Sequence, residues 1–282
     1  MKRIYYIMLM GMLAGCSKNV NLDLPTPPTQ ITVDGHIEPG QLAYMYLSRN
    51  IAYTTSLSIT SILAQDIIHG AFVTITDGTS TDTMRETNVK AGYYQSTFIK
   101  GQIGKTYSIK VSALGQTVTS STTILQPIPL DSAWFKVYQG MDTLGYVWAT
   151  LSSPLPVGRC YRWLTERIGK DTVYIPPTYS AFNDALFAGQ SVTIFFNRGE
   201  IPGSVAVDDT NAESGWFKTG EKVVVKFSVI DNIAYQFYNT YYTQQYTGTN
   251  PFASPGIVVG NIKGGNGIWC AYGASYDTVT CK

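Results

Sequence analysis

The chain has 282 residues, of which 14% are charged, and its formal net charge is +1. This near-neutral balance argues against a protein that binds nucleic acid through its electrostatic field. Aromatic residues make up 13% of the chain and include 20 tyrosines, and the polar positions are mostly Thr, Ser, Gly and Tyr. This composition predicts an exported, β-rich protein that is long enough for one large or two small domains.

Residues 1–15 have the features of a secretory signal peptide. A basic head, Lys2 and Arg3, precedes an apolar run, 4–13, of about ten residues, whereas a helix that spans a bilayer needs about 20. The run ends at Leu13-Ala14-Gly15-Cys16, which resembles the bacterial lipoprotein motif, in which the chain is cut before the cysteine and its thiol is diacylated. We therefore predict a mature protein that begins at Cys16 and is held to a membrane by acyl chains. The alternative is an uncleaved anchor with a chance cysteine.

Residues 16–29 are predicted to be a lipidated tether, because Pro25, Pro27 and Pro28 keep the segment extended. Without the signal peptide the formal charge falls to −1, since Lys2 and Arg3 are lost. The segment carries no cluster of acidic residues after Cys16 that would indicate surface display, so the periplasmic and cell-surface faces both remain open.

Residues 30–127 show the alternation of polar and apolar residues that is typical of strands. It is clearest in ITVDGHIE, GAFVTITDGTSTDTMRET, GYYQSTFI and TYSIKVSALGQTVTSSTTI. About six to eight short strands without a helical period predict a small immunoglobulin-like or transthyretin-like β-sandwich. Pro127 and Pro129 mark its predicted end.

Residues 128–282 are predicted to form a second β-rich domain with one amphipathic helix near residues 230–246. Ser228 and Asp231 stand in a capping-box relation at the start of this helix. Its apolar positions recur at helical spacing and are Ile230, Ile233, Ala234, Phe237, Tyr238 and Tyr241. This stripe either packs in the core or presents an aromatic row to a ligand.

Three of the four cysteines remain after Cys16 is assigned to lipid. Cys270 and Cys281 flank a segment, Gly273 to Asp277, that we interpret as a turn, so a hairpin would bring the two thiols together. A disulfide that closed this short loop would stabilise the protein by about 3 kcal/mol. Two reduced thiols are the alternative. Cys160 is interpreted as a small buried apolar residue and not as a reactive thiol.

Several stretches occur in an order that is similar to one known family. They are ITVDGHIEPGQ, GAFVTITDG, GYYQSTFIKGQIGKTYSIKV, CYRW, FNDALFAGQ and NPFASPGIVVGNIKGGNGIW. Over nearly all of residues 16–282 the chain resembles the Bacteroidota outer-membrane lipoproteins grouped as domain-of-unknown-function family forty-two forty-nine. Members often accompany TonB-dependent outer-membrane receptors, so the resemblance implies an accessory role in uptake. It supplies no catalytic residues.

The glycine-rich segment near the end of the chain is the most specific part of this resemblance. Its glycines permit positive φ and a close approach of backbones. It is either a ligand or partner loop or an irregular turn between two strands, held by the Asn261 and Asn266 side chains. The candidate residues of the loop are Asn261, Lys263, Gly264, Gly265, Asn266 and Trp269.

The sequence contains no motif of a common catalytic or metal site. His36 and His69 are the only histidines, and neither belongs to a nucleophile elbow, a metalloprotease helix or a Cys–His metal pattern. The acidic run at residues 207–215 lacks the register of a calcium loop and is interpreted as a solvated surface loop. We therefore predict no enzymatic activity, no cofactor and no metal. A pair of glycosidase carboxylates that meets only in space has no sequence signature.

These observations together predict a non-catalytic outer-membrane lipoprotein that works as an accessory to a TonB-dependent transporter. It would capture a ligand or cap the receptor. Strands rich in tyrosine and tryptophan suit a surface that binds a sugar, a peptide or a protein. A cell-surface adhesin or structural protein is the alternative, and an exported hydrolase is a third.

Overall fold

The computed structural model describes residues 28–50, 66–88, 90–177, 179–199, 215–247 and 256–282. Within these ranges the chain forms 16 strands and one long α-helix, so the predicted mainly β fold with a single helix is confirmed. No helix in these ranges is long and apolar enough to cross a membrane. The elements are β1 (Ile31–Ile37), β2 (Leu42–Arg49), β3 (Phe72–Thr76), β4 (Thr81–Glu86), β5 (Tyr93–Lys100), β6 (Thr106–Ala113), β7 (Gln116–Thr123), β8 (Ser132–Val137), β9 (Leu144–Ser152), β10 (Cys160–Arg167), β11 (Ala181–Asn183), β12 (Ser191–Phe196), β13 (Phe217–Lys218), β14 (Lys222–Ile230), α1 (Asn232–Thr247), β15 (Asn266–Ala271) and β16 (Gly273–Thr280).

The first sheet has eight strands in the order β15-β1-β2-β5-β4-β3-β6-β7. Its two ends nearly meet, because Lys263, just before β15, exchanges two backbone hydrogen bonds with Thr119 of β7 at 2.8 and 3.2 Å. We call this sheet the barrel. Alternate residues of its strands point inward and form one apolar core. The immunoglobulin-like or transthyretin-like topology expected from the sequence stays a prediction.

One strand of the barrel comes from the far end of the chain. β15 pairs in parallel with β1, and Thr32 stands opposite Asn266 while Ile37 stands opposite Ala271. The predicted boundary at residue 127 assigned these C-terminal residues to the second domain. Local patterns mark where a strand begins and ends, but they do not say which distant strand it pairs with.

The remaining strands form two four-stranded sheets that pack face to face, and we call them the sandwich. One sheet has the order β11-β10-β14-β16, and in the other β9 pairs with β8, β12 and β13. Their inner faces share a core that includes Trp163, Phe217 and Phe227, all fully buried. The outer face of the β10–β14 sheet is turned toward the barrel and carries Arg162 and Lys226.

The helix α1 begins after Asp231, whose Oδ1 accepts a hydrogen bond from the backbone N–H of Ala234 at 2.8 Å. This is an N-terminal cap. Ser228, the other predicted cap residue, lies within β14 instead, because that strand continues to Ile230. The buried side chains of the helix pack on Ile268, Cys270 and Tyr272 beside the barrel. Of the predicted stripe, Ala234 and Tyr238 make core contacts, and Phe237 packs against them. Ile230 is buried too but lies in β14, and Tyr241 is 41% exposed.

Of the two alternatives for Cys270 and Cys281, the structure has two free thiols and not the possible disulfide. Gly273 to Asp277 is not a turn but part of β16, which pairs with β14 and not with β15. The two cysteines lie in different apolar clusters, and both are free and buried. Cys160 is also free and buried, as predicted from its sequence.

Candidate binding surfaces

The glycine-rich segment that the sequence singled out connects the barrel's last strand to the rest of the chain. The Asn261 side chain brackets the backbone of Trp269: its Nδ2 donates to the carbonyl at 2.7 Å, and the Trp269 N–H donates to Oδ1 at 2.9 Å. The Trp269 indole is fully buried in the barrel core and donates to the carbonyl of Tyr107 at 3.0 Å. A buried ring held in this way is unavailable to a ligand.

The glycines of this segment allow β15 to lie against β1. Gly267 has φ +100°, and a Cβ there would lie 1.9 Å from the carbonyl oxygen of Val33. A Cβ on Gly265 would lie 2.5 Å from the carbonyl oxygen of Ile31. Exposed Asn266 donates to the Gln30 side chain at 2.9 Å. The turn interpretation thus accounts for the segment. Its exposed residues Lys263 and Gly264 lie where the first and last strands of the barrel nearly meet.

Two other predicted features lie outside the described residues. They are the lipidation site Cys16 and the acidic run that contains Asp208, Asp209, Asn211 and Glu213. Both stay predictions.

The outer face of the β8–β9–β12 sheet carries a continuous set of aromatic side chains. Trp134 and Phe195 both stand opposite Trp148, one on each side of it, so the three side chains share one face. Tyr138, Tyr146 and Trp216 continue this face toward the beginning of β9. We call these residues the aromatic platform: Trp134, Tyr138, Tyr146, Trp148, Phe195 and Trp216.

The rings of the aromatic platform are stacked on one another and reach solvent. The Trp148 and Phe195 centroids are 4.4 Å apart, and those of Tyr146 and Trp216 are 4.5 Å apart. About half of Tyr138 and Phe195 is exposed, at 49% and 50%. Contiguous exposed apolar area of this kind marks interaction sites on soluble proteins. The ammonium group of Lys136 lies over Trp148, 5.3 Å from its ring centroid.

A second candidate lies between the barrel and the sandwich. On the barrel side, outward-pointing residues of β1, β2 and β5 stand next to each other, with His36 opposite Tyr44, and Tyr46 opposite both Asp34 and Tyr93. The other side is formed by Arg162 of β10, Tyr238 and Tyr241 of α1, and Tyr272. We call this the tyrosine cleft, and its residues are Asp34, His36, Tyr44, Tyr46, Tyr93, Arg162, Tyr238, Tyr241 and Tyr272.

His36 lies between two rings of the tyrosine cleft. Its imidazole centroid is 4.0 Å from that of Tyr44 and 4.7 Å from that of Tyr272. Its Nε2 is buried and has no hydrogen-bond partner. Burial lowers the pKa of His36 well below its usual value, and the charges of Lys226 and Arg162 lower it further. The native imidazole is therefore uncharged at neutral pH.

A buried ion pair joins the barrel to the sandwich beside the tyrosine cleft. Lys226 Nζ lies 2.6 Å from Glu38 Oε2, and the Tyr276 hydroxyl donates to the same oxygen at 2.9 Å. A hollow of about 280 Å³ adjoins this pair and has Tyr44 in its wall. The charge on Glu38 is thus fully partnered within the protein.

A family described as a domain of unknown function (DUF4249) matches residues 17–277. The chain belongs to this family. The match covers the barrel, the sandwich and both candidate surfaces, and it confirms the family resemblance predicted from the sequence. The Bacteroidota source and the lipid anchor stay predictions. No curated protein matches the chain.

Within the described part of this DUF4249 protein, no group of three or more His, Cys, Asp or Glu side chains could hold a metal ion. Neither surface resembles a recognised motif, so only an indirect signal in the sequence points to them. The alternation in AWFKV and GYVWATLSS places aromatic residues on one face of each strand. It does not tell which face stays in solvent, because that depends on which sheet packs on the other.

Proposed function

We propose that this DUF4249 protein is a non-catalytic outer-membrane lipoprotein that serves a TonB-dependent transporter as an accessory. The aromatic platform is the observation that carries the proposal, as the surface that would meet the receptor. Protein interfaces are enriched in Tyr, Trp and Phe at their cores, and the residues that dominate binding energy are drawn from the same types. The signal peptide and Cys16 support the membrane anchor.

The chemistry of the titratable groups favours a binding role over catalysis. Among the described residues, neither histidine is hydrogen-bonded to a hydroxyl or a thiol, since His36 Nε2 has no partner and His69 binds Glu86 at 2.7 Å. Burial raises the pKa of the Cys160 thiol to about 11 and that of Cys281 to about 12. Nucleophilic catalysis needs a base within reach or a lowered pKa.

The test is copurification from outer membranes. Full-length protein with a C-terminal tag and intact Cys16 is isolated from detergent-solubilised membrane, and its partners are identified by mass spectrometry. We expect a TonB-dependent receptor in stoichiometric amount. The double substitution Trp148→Thr with Phe195→Thr removes two aromatic side chains of the platform. It should lower recovery of the receptor by about tenfold or more, because buried aromatic anchors contribute most of an interface's binding energy.

A matched control separates the platform from exposed aromatic residues in general. Phe98 lies in β5 of the barrel, is 58% exposed and is remote from the platform strands in the sheet order. Phe98→Thr should leave recovery unchanged. If the lipidated protein copurifies with no TonB-dependent receptor, the accessory role is contradicted and the adhesin or structural alternative is favoured.

A further inference from the structure

Arg162 is a buried cation without an anionic partner among the described residues. The side chain is nine-tenths buried, and its guanidinium carbon lies 3.3 Å from the ring centroid of Tyr238. Nη1 donates to the hydroxyl of Tyr272, while the buried Nε has no partner. Arginine is rarely buried unless it is paired with a carboxylate, because removing an unpaired charge from water is costly. The stacking on tyrosine offsets part of this cost.

Asp34, on the opposite wall of the tyrosine cleft, is an anion without a cationic partner among the described residues. Its side chain projects outward from β1 and is exposed, and it makes no hydrogen bond or ion pair with any described residue. The surrounding protein displaces water from the carboxyl group, and this desolvation raises the pKa of Asp34 above its usual value, while the charges of Arg162 and Lys90 oppose that rise. Asp34 and Arg162 therefore feel each other's charge without being in contact.

The other charges near the cleft are either paired within the protein or exposed to water. Glu38 is bound by Lys226 and Tyr276. Lys90 donates to the Tyr93 hydroxyl at 2.7 Å and lies over its ring at 4.1 Å. Lys90 is exposed, so water solvates its charge. Asp34 and the buried Arg162 are thus left without an ionic partner among the described residues, on opposite sides of a cleft lined with tyrosine.

We propose that the tyrosine cleft binds a zwitterion that carries an ammonium group and a carboxylate, as amino acids and short peptides do. The ammonium group lies at Asp34 and the carboxylate at Arg162, whose planar donors suit a carboxylate. The tyrosine rings contact the apolar part of the ligand, and the hollow beside Tyr44 accommodates a side chain. This inference rests on the proposed ligand-capturing role but not on the identity of the receptor.

The test is calorimetric titration of the full-length protein in detergent with two kinds of probe. The first is an equimolar mixture of free amino acids, and the second is trileucine together with its N-acetylated and C-amidated forms. We expect one site per chain for the uncapped probe, and binding at least about tenfold weaker for either capped peptide, because each cap removes one charge-assisted contact. Response to the mixture alone identifies amino acids as the ligand, and response to trileucine alone identifies peptides.

Variants assign each charge to its end of the ligand. Asp34→Asn should weaken trileucine binding by about tenfold and abolish the effect of N-acetylation while the effect of C-amidation persists. Arg162→Gln should show the reverse, and Asp142→Asn, an exposed carboxylate in the loop before β9, should change nothing. Asp34 is on the surface, so its variant remains informative if the buried Arg162 variant fails to fold.

Three results would overturn the proposal: neither probe binds, the caps have no effect, or Asp34→Asn binds as the parent does. Receptor copurification is measured separately. If the protein copurifies with a TonB-dependent receptor but binds no zwitterion, only this inference fails. If it binds the zwitterion but copurifies with no receptor, only the accessory role fails.

Discussion

His36 shows how the junction between the barrel and the sandwich sets the charge of one residue. The imidazole is packed between Tyr44 and Tyr272, and Lys226 and Arg162 lie on the sandwich side. Burial and these two cations lower its pKa, so the native state holds the uncharged form. The unfolded chain takes up a proton on the same residue below pH of about 6.5.

This difference predicts that acid weakens the fold through His36. A lowered folded-state pKa means that the unfolded state binds more protons below pH of about 6.5, so the free energy of unfolding falls as pH falls. The slope from this residue is at most about 1.4 kcal/mol per pH unit. Urea unfolding between pH 7.5 and pH 5.5 should show that His36→Gln removes this part of the slope.

The second histidine provides the control. His69 is more exposed, with 60% of its side chain accessible, and it is hydrogen-bonded to Glu86. His69→Gln should keep the slope that His36 causes. An unchanged pH dependence in His36→Gln would contradict the assignment of an uncharged native imidazole.

Local sequence predicts where a strand or helix forms better than it predicts which distant segment packs against it. The alternation in ITVDGHIE and the helical spacing after Asp231 are properties of neighbouring residues, and both elements form as expected. Gly273 lies in a strand and not in the turn that the sequence predicts. It begins β16, where a Cβ would lie 2.3 Å from the carbonyl oxygen of Leu125. This glycine permits close packing with a distant segment, which no local pattern distinguishes from a turn.

The contact between β15 and β1 predicts a severe effect for a small substitution. Gly267→Ala introduces a Cβ 1.9 Å from the Val33 oxygen at φ +100°, so we expect a loss of about 3 kcal/mol or more from strain and displaced backbone. Gly104→Ala is the matched control, since Gly104 has φ +82° in open space and should cost only about 1–2 kcal/mol. Equal losses in urea unfolding would show that strand contact at Gly267 is unimportant.

The whole molecule consists of a barrel and a sandwich that share the C-terminal part of the chain. The sequence predicts a boundary between two structural units near Pro127, because prolines interrupt the strand pattern there. It does not predict that the chain returns to the barrel with β15 after it has built the sandwich. The candidate surfaces are hidden for the same reason, since Arg162 and Asp34 approach each other only when the sandwich packs on the barrel.

The shared strand predicts that the first unit is incomplete by itself. A fragment of residues 30–127 lacks β15 and the buried Trp269, so it should give the circular dichroism of a largely unfolded or aggregated chain. A synthetic peptide of residues 256–272 should restore cooperative unfolding, whereas the same peptide with Gly267→Ala should not. Cooperative unfolding of the fragment without any peptide would refute this dependence.

The parallel pairing of Thr32 with Asn266 also sets the order in which the molecule can be assembled. Ribosomes deliver the partner of the first strand only after almost the entire polypeptide has been made, and such high contact order slows folding. Until then one margin of the nascent sheet is open to other chains. If the chain is exported as predicted, it folds after it has crossed the membrane, and the open margin of the sheet is then exposed until β15 pairs with β1. We expect chaperones on that side of the membrane to bind the incomplete sheet.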